Sequence, residues 1–239
     1  MDLAMKFVGF LATAYLARVL GKSGFGAVNV GQSVLNYALV LSVGGLSLLG
    51  TRKIAAGPDA SEITGQIFYS RFALSVIVFL LTITITFVLS GFSEISYIIL
   101  FYMLFLFPTV FTLDWFFVGI QKMETVAYTR IIGTVTYFLI VVLIVKERQD
   151  AVLTGLAWTA GGIITVLFFL YSYRVNNYSF HLSRGKKYFF KTLKESIPLG
   201  MASYISQFLV AFPVIYISFI AGNSEAGIFS AAIKMISLF

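Results

Sequence analysis

The residues of this sequence with the most chemistry to offer are polar side chains embedded in long apolar stretches. Asn29, Gln32 and Asn36 recur at i, i+3 and i+7, which places them on one face of a helix. Arg130, Thr134 and Tyr137 share a face in the same way, and Ser203 and Gln207 lie four residues apart. Lys234 stands inside an apolar segment in which no carboxylate is an obvious partner. Within hydrocarbon such groups are costly, and they turn toward a bundle interior or a wet cavity. For the amides two readings stand: interhelical hydrogen bonds, worth about 0.6 kcal/mol per contact on average, or the lining of a cavity. For Lys234 the cavity is the better reading. Arg18 lies at the end of a stretch, where snorkelling of its head to the interface is a sufficient account. Cysteine is absent, so disulfides and thiolate metal sites are excluded. The lone His181 sits in a polar segment with no ligand partner nearby, so no metal or other cofactor is expected.

The solvent around these side chains follows from composition. Of 239 residues, 59% are hydrophobic and 11% charged, and the mean hydropathy is +0.94. Soluble domains carry about 25% charged residues. So little polar surface cannot cover a globule in water, and the fold class expected is an all-α polytopic membrane protein. A helix crosses the hydrocarbon with about 20 apolar residues. Seven such stretches run over 3–20, 27–49, 67–90, 95–117, 127–145, 151–173 and 197–220, and an eighth starts at Gly227. The first is short and holds Lys6, like a signal peptide, but six further spans follow and it is read as a transmembrane helix. The net charge of +7 is assigned to membrane topology and not to nucleic acid. With the N-terminus cytoplasmic, the inner set is Lys6, Arg52, Lys53, Arg71, Lys122, Arg130, Arg174, Arg184, Lys186, Lys187, Lys191 and Lys194. The outer set is Arg18, Lys22, Lys146 and Arg148, a three-to-one bias that sets the orientation.

Three local features refine this picture. In 184–195, Phe189, Phe190 and Leu193 share a face with Ile197 while Lys186, Lys187, Lys191 and Lys194 are interleaved. This fits an interfacial helix or a solvated basic loop. Ser196 followed by Pro198 is the pattern of an N-cap and first turn, so the seventh span is expected to start there. Pro108 and Pro213 remove backbone hydrogen bonds and predict kinks in the fourth and seventh spans. Asp114 beside Trp115 marks the end of the fourth span, either as an interfacial anchor with an aromatic belt residue or as a functional group.

Gly21-Lys22-Ser23-Gly24-Phe25-Gly26 joins the first two spans, and Gly222-Asn223-Ser224-Glu225-Ala226-Gly227 joins the seventh to the eighth. Both read G-x-S-x-x-G at an offset of 201, and Tyr15 matches Tyr216 at the same offset. Six spans separate the copies, so they share one orientation, as in a parallel repeat about an axis along the membrane normal. Residues 1–178 are then one six-helix lobe, and 179–239 hold the basic segment and the start of a second.

Ala17-Arg18-Val19-Leu20-Gly21 followed by Phe25-Gly26, then Gly44-Gly45-Leu46 and Arg52-Lys53-Ile54-Ala55, resembles the opening of Wzx-like polysaccharide biosynthesis flippases of the multidrug/oligosaccharidyl-lipid/polysaccharide exporter superfamily. Leu113-Asp114-Trp115-Phe116-Phe117-Val118-Gly119 with Lys122-Met123 and Arg130 resembles their connection between fourth and fifth spans. Leu193-Lys194-Glu195-Ser196-Ile197-Pro198-Leu199 is similar to the start of their second lobe, and Ala226-Gly227-Ile228-Phe229-Ser230-Ala231-Ala232-Ile233-Lys234 to the opening of their eighth span. The resemblance implies two six-helix lobes around a central cavity. It also implies movement of undecaprenyl-diphosphate-linked oligosaccharide units across the cytoplasmic membrane for surface polysaccharide synthesis. Polysaccharide assembly proteins and membrane lipid are the implied partners. A diphosphate is anionic, so inward Lys or Arg would offset its desolvation and amides would bond sugar hydroxyls. The expected substrate-binding residues are Arg18, Asn29, Gln32, Asn36, Arg130, Gln207 and Lys234. Many relatives carry an acidic residue in the seventh span where this chain has Phe212-Pro213.

Two other functions compete. A cation-coupled drug antiporter of the same superfamily would need a membrane-embedded carboxylate, whereas the ten acidic residues here fall at span ends or in loops. A membrane-embedded polysaccharide polymerase or ligase would need catalytic residues on a large external loop, and the external connections 91–94, 146–150 and 221–226 are short. A transporter and not an enzyme is expected. Since only the start of a second lobe is present, residues 1–239 alone are not expected to restore transport.

Overall fold

A computed structural model describes residues 2–57, 60–178 and 185–236. His181 and the start of the basic segment lie outside these residues. Among the described residues every regular element is helical: α1 (Asp2–Leu39), a π-helical stretch (Val40–Gly44), α2 (Gly45–Ala55), α3 (Ala60–Ser90), α4 (Glu94–Met103), α5 (Leu106–Val110), α6 (Asp114–Gly119), α7 (Met123–Ile144), a 3₁₀ turn (Arg148–Val152), α8 (Leu153–Val175), α9 (Gly185–Ala221) and α10 (Asn223–Ile236). Among the described residues, five helical runs are long and apolar enough to cross a membrane. The chain is thus an all-α polytopic membrane protein. The longest run, Met5–Ala55, contains the first two expected spans. Its direction changes at Gly21, where φ is 66°, a left-handed conformation that costs a residue without Cβ little.

The fourth span is broken in three. Proline lacks an N–H and its ring crowds the carbonyl four residues back. For Pro108 that carbonyl belongs to Leu104, and the helix stops at Met103 and resumes at Leu106. A second break separates α5 from α6, where the backbone N–H groups of Phe116 and Phe117 both turn to the carbonyl of Leu113. The kink expected at Pro108 is therefore a full interruption.

The seventh span corrects the expectation. No helix starts at Ser196, because α9 runs unbroken from Gly185 to Ala221 with Pro198 and Pro213 inside it. The Ser196 hydroxyl donates to the Leu193 carbonyl at 2.9 Å instead of capping. The would-be interfacial segment and the span are one helix. Its approach to α2 explains why the helix persists: a Cβ on Gly45 would collide with the Ser196 carbonyl, and Lys53 pairs with Glu195 at 2.6 Å.

Among the described residues two large apolar cores hold the bundle, with a smaller cluster of Val30, Val214 and Ala226 where α1, α9 and α10 meet. One gathers α1, α4, α7 and α8 around Leu16, Leu35, Tyr102 and Val141. The other surrounds α6, where Trp115, Phe116 and Phe117 pack with Phe68, Phe169 and Tyr173. Trp115 is 2% exposed and its Nε1 donates to the Thr112 carbonyl. It is a core residue and not the interfacial belt residue its position suggested. A broad apolar face lies outside the core: Ile77, Leu80, Leu81, Ile85, Val88 and Leu89 of α3 are all exposed. Lipid is the environment that accommodates such a face.

Candidate functional site: a cationic cavity between α1, α7, α8 and α10

A cavity of about 630 Å³ opens among α1, α7, α8 and α10, with Phe105 entering from the break between α4 and α5. Its polar lining is Lys6, Thr13, Gln32, Arg130, Thr134, Tyr137, Trp158, Thr165 and Lys234. Three of these are cations, and none of the described lining residues is acidic. An anion entering the cavity meets positive charge on a low-dielectric wall, where each interaction gains strength.

Each cation is held differently. Lys234, on α10, donates from Nζ to Gln32 Oε1 at 3.1 Å and lies 5.5 Å from the centre of the Phe25 ring. The bond joins the second half of α1 to α10. Arg130, on α7, pairs through Nη2 with Asp114 Oδ2 at 2.9 Å. Its side chain is still 53% exposed, so the pair does not consume its donors. Lys6 reaches the cavity from the first turns of α1.

The wall beyond the cations is aromatic. Tyr137 and Trp158 meet edge to face with centroids 4.6 Å apart, and Phe105 approaches Trp158 at 6.0 Å. Small residues allow this. A side chain at Gly162 would overlap the Phe105 ring, and Gly133 and Gly161 let the backbones of α7 and α8 close on each other.

Of the seven residues singled out from sequence, Gln32, Arg130 and Lys234 come together here. The stripe Arg130, Thr134 and Tyr137 lines the cavity as one face. The other amide stripe splits. Asn29 is buried with Nδ2 donating to the Phe25 carbonyl at 2.7 Å, and Asn36 is exposed. Neither Arg18, exposed on α1, nor Gln207 of α9 lines the cavity. Sequence reasoning did not single out Lys6, Phe105, Trp158 or Thr165, whose signals were a cation near a span start, aromatic residues indistinguishable from core and a single hydroxyl in an apolar span. It also counted Arg71 among loop-flanking charges, whereas the side chain is fully buried.

The second G-x-S-x-x-G motif lies beside the first. Gly222 has φ 89°, matching Gly21 in hand. A Cβ on Gly26 would sit 3.0 Å from the Gly227 nitrogen, and one on Gly227 would sit 3.1 Å from the Gly26 nitrogen.

A Shigella dysenteriae protein named "Putative O-antigen transporter" is 26% identical over 235 residues, covering 95% of this chain. The chain spans 58% of that relative's length. No solved structure matches the chain. The polysaccharide biosynthesis protein family matches residues 1–238, and the chain belongs to that family.

Proposed function

We propose that this chain forms part of a flippase of the cytoplasmic membrane, moving undecaprenyl-diphosphate-linked oligosaccharide units outward for surface polysaccharide synthesis. The observation that carries the reading is the cavity with Lys6, Arg130 and Lys234 and no described acidic lining residue. The cations suit a diphosphate, and Gln32, Thr134 and Thr165 suit sugar hydroxyls. The related O-antigen transporter supports the same cargo class. The excess of Lys and Arg on one side favours a cytoplasmic N-terminus. A cation-coupled antiporter would need a carboxylate, and none is among the described lining residues of this cavity.

The test uses the full-length protein in vesicles, with a fluorescent prenyl-diphosphate-linked sugar and transport normalised to inserted protein. Hydrogen bonds to charged groups contribute about 1.5–3 kcal/mol. Lys234→Ala is therefore expected to slow normalised transport by about tenfold or more, and Lys234→Arg, which keeps the charge, by less. Equal normalised rates for parent and Lys234→Ala would remove Lys234 from cargo binding.

A further inference from the structure

The threonines that line the cavity use their hydrogens within their own helices. Thr13 Oγ1 donates to the Gly9 carbonyl at 2.9 Å, Thr134 Oγ1 to the Arg130 carbonyl at 2.8 Å and Thr165 Oγ1 to the Gly161 carbonyl at 3.0 Å. A hydroxyl bound in this way keeps only lone pairs for a ligand. Lone pairs repel an anion and accept from a hydroxyl group. The cations of the same cavity have the opposite demand, so two kinds of recognition share one wall.

The two kinds follow one another in order. Tyr137 of α7 meets Trp158 of α8 with centroids 4.6 Å apart, and a Cβ on Gly133 would overlap the Thr165 hydroxyl. The two helices therefore run antiparallel, with the aromatic pair at one level and Thr165 about one turn nearer to Arg130. Arg130 stands before Tyr137 on α7 by about 10 Å of helix axis, at a rise of about 1.5 Å per residue.

Trp158 is half-buried, lines the cavity and has the Phe105 ring 6.0 Å away. Its Nε1 is buried and has no hydrogen-bond partner among the described residues. A buried indole N–H ordinarily finds a partner. Here no hydrogen bond fixes the plane of the ring, so the ring can tilt to meet a ligand. The face of an aromatic ring is electron-rich. The C–H bonds on one face of a pyranose ring are slightly positive and pack on such a surface, while the sugar's hydroxyls point outward to acceptors. An anion gains nothing from either group.

We infer that Trp158, backed by Phe105 and Tyr137, is a platform on which an uncharged pyranose ring stacks, with Thr134 and Thr165 accepting from its hydroxyls. That the sugar arrives joined to a diphosphate rests on the function proposed above; the platform stands without it. In such a cargo the sugar takes the Tyr137 side of the cavity and the diphosphate the Arg130 side.

Trp115 and Trp158 are the two tryptophans of the chain, and Trp115 is sealed in the core. Indole emission is read on the purified chain in a detergent without a sugar headgroup. Methyl N-acetylglucosaminide, an uncharged pyranoside, is expected to change the emission saturably, and glycerol at equal concentration is not. Trp158→Phe should abolish the response. No response in the parent, an equal response to glycerol, or a response that persists in Trp158→Phe would overturn the proposal. A second arm compares geranyl diphosphate with geranyl-diphosphate-linked N-acetylglucosamine. The sugar-bearing probe should bind the parent several-fold more tightly. Trp158→Leu should remove that margin and leave the affinity for geranyl diphosphate unchanged, whereas Trp158→Phe, which keeps a ring, should retain most of it. Equal binding of the two probes to the parent, or a Leu variant that weakens both alike, would also overturn the platform. If the Leu variant does not fold, the emission arm decides. Failure of both diphosphate probes to bind would sink the anionic-cargo reading, while the pyranoside response still judges the platform.

Discussion

Gln32 and Lys234 form a side-chain hydrogen bond that joins α1 to α10 inside the cavity. A neutral amide leaves the cavity's net charge unchanged, whereas a carboxylate would cancel that of the ammonium. Gln32→Glu therefore separates stability from function. An ion pair with the ammonium is expected to hold the thermal midpoint in detergent at or above the parent value, while transport falls because the cavity loses positive charge. Gln32→Leu should lower the midpoint, since it removes an acceptor from a charged donor at a cost of about 1.5–3 kcal/mol. A Gln32→Glu protein that transports like the parent would show that the cavity's charge is irrelevant to its cargo. At this scale the sequence was legible where helical spacing alone decides orientation. Arg130, Thr134 and Tyr137 share a face, and all three line the cavity. The same spacing was insufficient for Asn29, because a short amide can turn back to its own backbone at Phe25, a competition that a helical wheel does not contain.

At the scale of elements, the apolar stretches located each helix, but not the places where helices break or run on. Ser196 and Pro198 carry the grammar of a helix start, yet α9 passes through them because packing on Gly45 and the Lys53–Glu195 pair hold that turn helical. Arg71 could not be placed for a related reason. Two of its acceptors, the Thr109 and Thr112 carbonyls, lie where the fourth span is interrupted, 38 and 41 residues away in sequence, and a third, the Ser47 hydroxyl, lies on another helix. Close approach also sets which glycines matter. At Gly9 an added Cβ meets nothing within 4 Å, whereas at Gly50 it would run into the Trp115 ring. Alanine in a helix is favoured over glycine by about 1 kcal/mol, and overpacking costs about 1–3 kcal/mol. Gly9→Ala should raise the thermal midpoint and Gly50→Ala should lower it, although both are the same substitution in a helix. Parallel shifts in the two would mean that α2 and α6 are not packed through Gly50.

At the scale of the whole molecule, the two G-x-S-x-x-G motifs meet reciprocally. A side chain on Gly26 would strike the Asn223 carbonyl, and one on Gly227 would strike the Lys22 carbonyl. Residues 22 and 223, like 26 and 227, differ by the repeat offset of 201. Each copy therefore presents to the other the same atoms that it receives, which is the signature of a local two-fold relation. The repeat was visible in the sequence as six letters. That its copies touch was not, because nothing local encodes the approach of two backbones. The contact lies beside the turns at Gly21 and Gly222, and Leu16, buried at 3%, lines the cavity from the helix that precedes Gly21. If the glycine pair seals the cavity there, a bulkier residue on either side should part the same two backbones. Gly26→Val and Gly227→Val are each expected to raise the reactivity of a cysteine placed at Leu16 toward a polar thiol reagent, several-fold over the cysteine variant alone. The chain has no native cysteine to confuse the signal. Since either substitution separates the same contact, the double variant should add little to either single one, the non-additivity expected of residues that share one interface. Two independent, summing effects would mean that the motifs act separately, and unchanged labelling in both would mean that the cavity is sealed elsewhere.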